Sequence, residues 1–184
     1  MTAESSPLPF LRSPAVGFER PFEMLEACHE RVQRMLGLMQ RLRTHLAAMG
    51  CDEQARQAAR DVMRYFDVAA PAHHEDEERH VFPTLLAAGT CVEIVRRLQR
   101  EHVEMAALWP QVRSVLQRVA DGAWQGFRVG DESTLEHYAR LYDWHLAAEN
   151  ELVYPAASAR LGPTEQAAMG QEMSIRRGVT REPE

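Results

Sequence analysis

From Leu25 onward apolar residues recur at three- and four-residue steps: Leu25, Cys28, Val32, Met35, Met39, Leu42, Leu46 and Met49. That spacing lays one stripe along an amphipathic helix, which it predicts from Pro21, a favoured first-turn residue, to the stop at Gly50. A second helix is predicted after Asp52 as N-cap, through Val62, Phe66 and His74 to Leu85 and Leu86, with Pro71 and Pro83 expected to kink or interrupt it before Gly89. Thr90 and Glu93 have capping-box spacing ahead of a third stripe of Val95, Leu98, Met105, Val112 and Leu116, with a bend at Pro110. A polar, glycine-containing loop over 120–130 precedes a fourth stripe of Leu135, Tyr138, Leu141, Tyr142, Ala148 and Leu152. Ser133 and Glu136 are spaced to cap that helix, and Gly162 and Pro163 end it. No stretch reads as a convincing strand.

Four long helices with short connections predict an all-α fold, an antiparallel four-helix bundle with a core able to carry inward-pointing ligands. The expected organisation is an irregular arm over 1–19, the bundle over 20–162 and a tail or short helix over 163–184. At 184 residues the chain is long enough to bury a core without disulfides. Its three cysteines, Cys28, Cys51 and Cys91, are scattered and lack C-x-x-C spacing, which disfavours a thiolate metal site and fits a reducing cytoplasm. A net charge of -6 with arginines dispersed among acids argues against nucleic acid as a partner, and no apolar run approaches membrane-spanning length. Phosphate-binding glycine loops and a G-x-S-x-G elbow are missing.

The eight histidines change the picture. His145 and Glu149 stand four apart on the fourth stripe, where an unpaired polar group is costly. His74 and Glu78 repeat the spacing on the second helix, in HHEDEERHVFP against WHLAAENELVYP, each followed shortly by a proline. The offsets Glu78 to Val81 and Glu149 to Leu152 match, so His73 and Glu77, which share the four-residue spacing, are read as outer or surface residues. Glu75, beside His74, is either a third acidic ligand or simply part of the acid run. His29 and His102 each lie on an apolar face, and each precedes a histidine–glutamate pair by forty-odd residues. Singly, each is best read as a core histidine, but jointly they bring imidazole from four helices to one interior. Four imidazoles and two carboxylates able to bridge suit two first-row metal ions that keep open positions. His45, His80 and His137 have no acid in register and fall to the surface or around the site, while Tyr138 and Tyr142 belong to the core.

Read in order, His29, the run from His74 to Glu78 followed by VFP, Glu101-His102, and the run from His145 to Glu149 followed by LVYP resemble the hemerythrin-like HHE cation-binding family over residues 20–160. The ending GQEMSIRRG is similar to the tail of many bacterial members. The resemblance implies an up-down-up-down bundle around an oxo- or hydroxo-bridged di-iron centre, with His29, His74, Glu78, His102, His145 and Glu149 as ligands. Oxygen-carrying hemerythrins bring two histidines from the third helix, whereas the positions four either side of His102 are Leu98 and Ala106. The four-histidine set is more similar to branches associated with iron–sulfur repair, with nitric oxide or oxygen sensing, and with iron sensing.

Three functions follow as alternatives. The first is a di-iron protein engaging oxygen, nitric oxide or peroxide as a sensor, scavenger or stress-response module. The second is a redox enzyme turning over peroxide or nitric oxide, or donating iron to damaged clusters. The third is a structural bundle with adventitious metal or none.

Overall fold

The computed structural model describes residues 17–179, and the predicted arm lies largely outside them. Helix α1 spans Pro21–Met49, α2 Glu53–Asp76, α3 Phe82–Ala87, α4 Val92–Ala120, α5 Asp131–Ala148, α6 Tyr154–Ser158 and α7 Pro163–Arg176. One π turn, Glu77–Val81, joins α2 to α3, and another, Glu149–Val153, joins α5 to α6. The second and fourth long rods are therefore composite, and among the described residues no strand occurs. The α1, composite α2–α3, α4 and composite α5–α6 rods make an all-helical bundle of hemerythrin-like type, with neighbours along the chain packed against each other.

The stripes supply the core apart from their last residues Met49 and Leu152, which are exposed, but local signals fare unevenly. Asp52 caps α2 by accepting the Ala55 N–H at 2.8 Å. The Thr90 box does not form, since α4 starts after Cys91 in the left-handed conformation, φ 52°. Nor does the Ser133 box, because α5 starts at Asp131 and the Ser133 hydroxyl donates back to the Gly130 carbonyl. Helices α2 and α4 run through Pro71 and Pro110 without interruption. Pro83 and Pro155 instead come one residue after the two π turns. A proline ring would clash with the carbonyl one α-turn earlier, and the widened turn relieves that conflict. The Phe82 and Tyr154 N–H groups reach five residues back, to the carbonyls of Glu77 and Glu149.

Buried apolar residues form two clusters. One holds Val32, Met39, Phe66, Ala70, Met105, Leu116, Tyr142 and their neighbours. The other holds Leu25, Val81, Phe82, Leu98, Val153, Tyr154, Met169 and Met173. Along every rod the boundary falls at a polar residue: His29 between Leu25 and Val32, His102 between Leu98 and Met105, and the two π turns on the remaining rods.

Helix α7 closes the second cluster with Met169 and Met173. Its Gly170 lies against the Phe18 carbonyl so closely that a side chain there would collide with backbone. Arg176 and Arg177 both bind Asp76, which is fully buried beside the first π turn, and the Arg177 guanidinium lies 5.5 Å from the Phe18 ring centre. Glu172 accepts from Arg176 at 3.1 Å and contacts His80 at 2.7 Å.

The Arg176 hydrogen bond, helped by His80, holds the Glu172 carboxyl down to about 2 against an ordinary value of 4.5. A carboxyl whose folded value is depressed stabilises the fold above its unfolded value and loses that contribution as pH falls towards the folded one. Glu172→Gln is therefore expected to lower stability at neutral pH, with the gap from wild type closing between about pH 4.5 and 2. Urea unfolding across that range checks it, and a gap independent of pH contradicts the ion-pair account.

Candidate metal centre

The two π turns begin at the two innermost acids, Glu77 and Glu149, both fully buried. One turn earlier on the same faces stand His73 and His145, at 2% and 1% exposure. Pro83 stands six positions after Glu77 and Pro155 six positions after Glu149, so the prolines set the correspondence between the halves. In this register Glu77 matches Glu149, His73 matches His145, and Glu78 matches Asn150.

The carboxylates face two ways. Glu77 Oε1 lies 3.4 Å from His73 Nε2 and 3.9 Å from His29 Nε2, while its Oε2 lies 3.4 Å from His102 Nε2. Glu149 Oε2 lies 3.2 Å from His29 Nε2, and its Oε1 lies 3.2 Å from His145 Nε2 and 3.9 Å from His102 Nε2. The donor atoms thus fall into two groups, each within 4.8 Å throughout: His29, His73, Glu77 and Glu149, and His74, Glu77, His102 and His145. The His74 ring stacks on His102 with centres 4.0 Å apart.

Five of the six predicted residues meet here. Glu78 does not. It is 36% exposed and bonds the far side of a histidine, His102 Nδ1 at 3.0 Å, and also accepts from Gln99. The reading of His73 and Glu77 as outer or surface residues is corrected, since both line the interior. The cause is the π turn, whose extra residue shifts everything after it. Leu152, taken as part of the buried stripe, is 47% exposed, and Val153 is buried in its place. Matching on Leu152 therefore displaced the second-helix pair by one. Glu75 is half-buried and pairs with Arg79 and Arg176. His45, His80 and His137 pair with Asp52, Glu172 and Glu104, away from the centre. Tyr138 and Tyr142 are core residues whose hydroxyls lie 3.2 Å apart.

Three imidazoles are oriented from behind. His102 Nδ1 meets Glu78, His145 Nδ1 meets Glu101 at 3.0 Å, and His29 Nδ1 meets the Asn150 side-chain oxygen at 2.7 Å. Each acceptor fixes a proton on Nδ1 and turns the Nε2 lone pair inward, the arrangement by which metal-binding histidines are held. Yet His102 Nε2 and His145 Nε2 then face each other at 3.2 Å, lone pair to lone pair. Only a proton or a cation relieves that opposition. Burial alone would lower both imidazoles. The Glu77 and Glu78 bonds nevertheless raise His102 to about 9, and the nearby Glu149 and Glu101 raise His145 to about 10. Burial, reinforced by the neighbouring imidazoles, holds His73 and His74 well below the ordinary value. Burial and the neighbouring Glu149 charge push the Glu77 carboxyl up.

Among the described residues seven buried side-chain atoms lack a hydrogen-bond partner, and five of them belong here: both nitrogens of His73, Glu77 Oε2 and both oxygens of Glu149. The oxygens of Glu149 are close to imidazole nitrogens but misaligned for hydrogen bonds, as donors sharing a central cation would be. Buried polar atoms otherwise find partners. The donor set and its orphaned atoms fit a pair of metal ions.

The hemerythrin HHE cation binding domain matches residues 20–161 of this chain. An uncharacterized protein of Haemophilus influenzae is 28% identical over 163 residues, covering 88% of this chain and 92% of the relative.

Glu77→Ala is expected to abolish tight metal binding, whereas Glu78→Ala should keep it with affinity weakened about 10–100-fold, as for loss of a group that orients a ligand. Anaerobic iron(II) titration of both variants separates these outcomes. Comparable losses would sink the assignment of Glu77 over Glu78.

Proposed function

This chain belongs to the hemerythrin HHE cation-binding family, and we propose that its cations are two iron ions that engage oxygen, nitric oxide or peroxide in sensing, scavenging or a stress response. One ion would be held by His29 and His73, the other by His74, His102 and His145, with Glu77 and Glu149 between them. The observation that carries this reading is that each buried carboxylate turns one oxygen towards each histidine group. Imidazole and carboxylate without thiolate favours iron among the common redox metals over a closed structural zinc site.

The count of imidazoles bears on the ligand. The fifth histidine expected of an oxygen-binding centre does not come from the third rod, where Leu98 and Ala106 flank His102, but from the adjacent pair His73 and His74 on α2. Two imidazoles on one side against three on the other make the two sides unequal, the His29 side having the fewer. When bound, a ferrous pair supplies two electrons to such a ligand. The protein's part is to exclude water with the two apolar clusters, to fix the Nε2 atoms inward, and to hold the imidazoles with Glu78, Glu101 and Asn150. No helix among the described residues is long and apolar enough to cross a membrane.

Protein grown in iron-rich medium is expected to carry about two irons per chain, with ultraviolet-visible charge-transfer bands that differ between the anaerobically reduced and the air-exposed states. Zinc alone, or a colourless protein after iron loading, would favour the structural bundle.

A further inference from the structure

Tyr154 is fully buried at the head of α6, the first residue after the second π turn. Its hydroxyl donates to Glu77 Oε1 at 2.5 Å and lies 2.9 Å from His29 Nε2. The His29 Nδ1 proton is committed to Asn150 and the phenol's one proton to Glu77, so His29 Nε2 and the phenol oxygen meet without a proton between them. Glu149 Oε2, another acceptor, stands 3.2 Å from the same nitrogen. Three electron pairs converge on a point that only a second proton on His29, which its carboxylate neighbours favour, or a cation satisfies. In an octahedral shell with bonds of about 2.1 Å, neighbouring donor atoms stand about 3.0 Å apart. The Tyr154 oxygen keeps that kind of spacing from His29 Nε2, at 2.9 Å.

From this geometry we infer that Tyr154 is itself a ligand of the ion on the His29 side, binding as phenolate. This rests on the di-iron reading above. On coordination the phenol O–H bond breaks, an oxygen–iron bond forms and the proton is released to solvent, since a bound cation favours the deprotonated ligand. The assignment also balances the halves. On the far side Glu78 and Glu101 place two carboxylates behind His102 and His145. On the near side the group behind His29 is the neutral Asn150, and His73 Nδ1 has no partner. The residue matching Tyr154 in the other half is Phe82, whose ring stacks 5.5 Å from His102 and has no oxygen to offer. The extra anion thus falls on the ion with fewer imidazoles and fewer supporting carboxylates.

The test is resonance Raman spectroscopy of the iron-loaded, air-oxidised full chain with parallel iron analysis. Phenolate ring modes are expected under visible excitation, shifting when tyrosine carries ring deuterium. Tyr154→Phe should lose those modes and the accompanying visible band while retaining about two irons per chain, and Tyr142→Phe should keep both. Wild-type protein holding two irons without phenolate modes overturns the role of Tyr154 and leaves the di-iron reading standing. Wild-type protein that takes up no iron overturns both. Modes that persist in Tyr154→Phe assign the phenolate elsewhere and equally refute the inference.

Discussion

Two carboxylates, Glu77 and Glu149, are buried completely where the helices converge, and the rest of the molecule is organised around compensating them. Taking even one ionised carboxylate out of water costs several kcal/mol, about what a whole domain has to spare, and two close together repel as well. Five imidazoles and a phenol supply the compensation at hand. None supplies enough protons to satisfy every acceptor, as the orphaned atoms of His73, Glu77 and Glu149 record. Such a centre is poorly suited to being merely structural. An apolar core of the same volume would be as stable or more so, which makes cation binding the physical reason to keep it.

The two apolar clusters permit this arrangement. Because each rod is buried on both sides of its polar residues, the stripes can hold the helices in place while the centre itself remains electrostatically unfavourable without a cation. The π turns belong to the same solution. Each places a glutamate at its first position and leaves the following residue, Glu78 or Asn150, to reach across to the lone histidine of a neighbouring rod. Inner and outer partners thus come from consecutive residues, which no regular helix face would offer.

Most of the fold was legible because it rests on period. The stripes of α1, α2, α4 and α5 are long, and their apolar residues fall where the 3.6-residue repeat puts them. His29, His102, His145 and Glu149 were legible for the same reason, as polar interruptions of those stripes. What periodicity could not reveal was the place where it stops holding. A π turn inserts a residue that leaves no mark in hydropathy, so Leu152 read as buried and Glu78 as the counterpart of Glu149. The prolines carried the missing signal. Pro83 and Pro155 lie at equal distances beyond Glu77 and Glu149, and alignment on them, instead of on the nearest apolar residue, brings out Glu77, His73 and Tyr154 together. The capping boxes at Thr90 and Ser133 misled differently, since a local motif yields when the loop before it, as at Cys91 and Gly130, adopts a left-handed entry.

The correspondence between halves also shows where they part. His73 and His145 match, as do Glu77 and Glu149, but His74 faces Leu146, Glu78 faces Asn150 and Tyr154 faces Phe82 in the aligned register. Cys28 likewise precedes His29 where Glu101 precedes His102. In space the differences act in a consistent direction: the His102 group gains an imidazole and two supporting carboxylates, while the His29 group keeps a neutral amide and a phenol. A symmetric pair of sites would hold two ions in equivalent surroundings and bind a ligand across them without preference. The surroundings here are unequal instead, three imidazoles in one donor group and two imidazoles beside the Tyr154 phenol in the other. The chemistry of the centre therefore follows less from the ligands the halves share than from the few positions at which they have diverged.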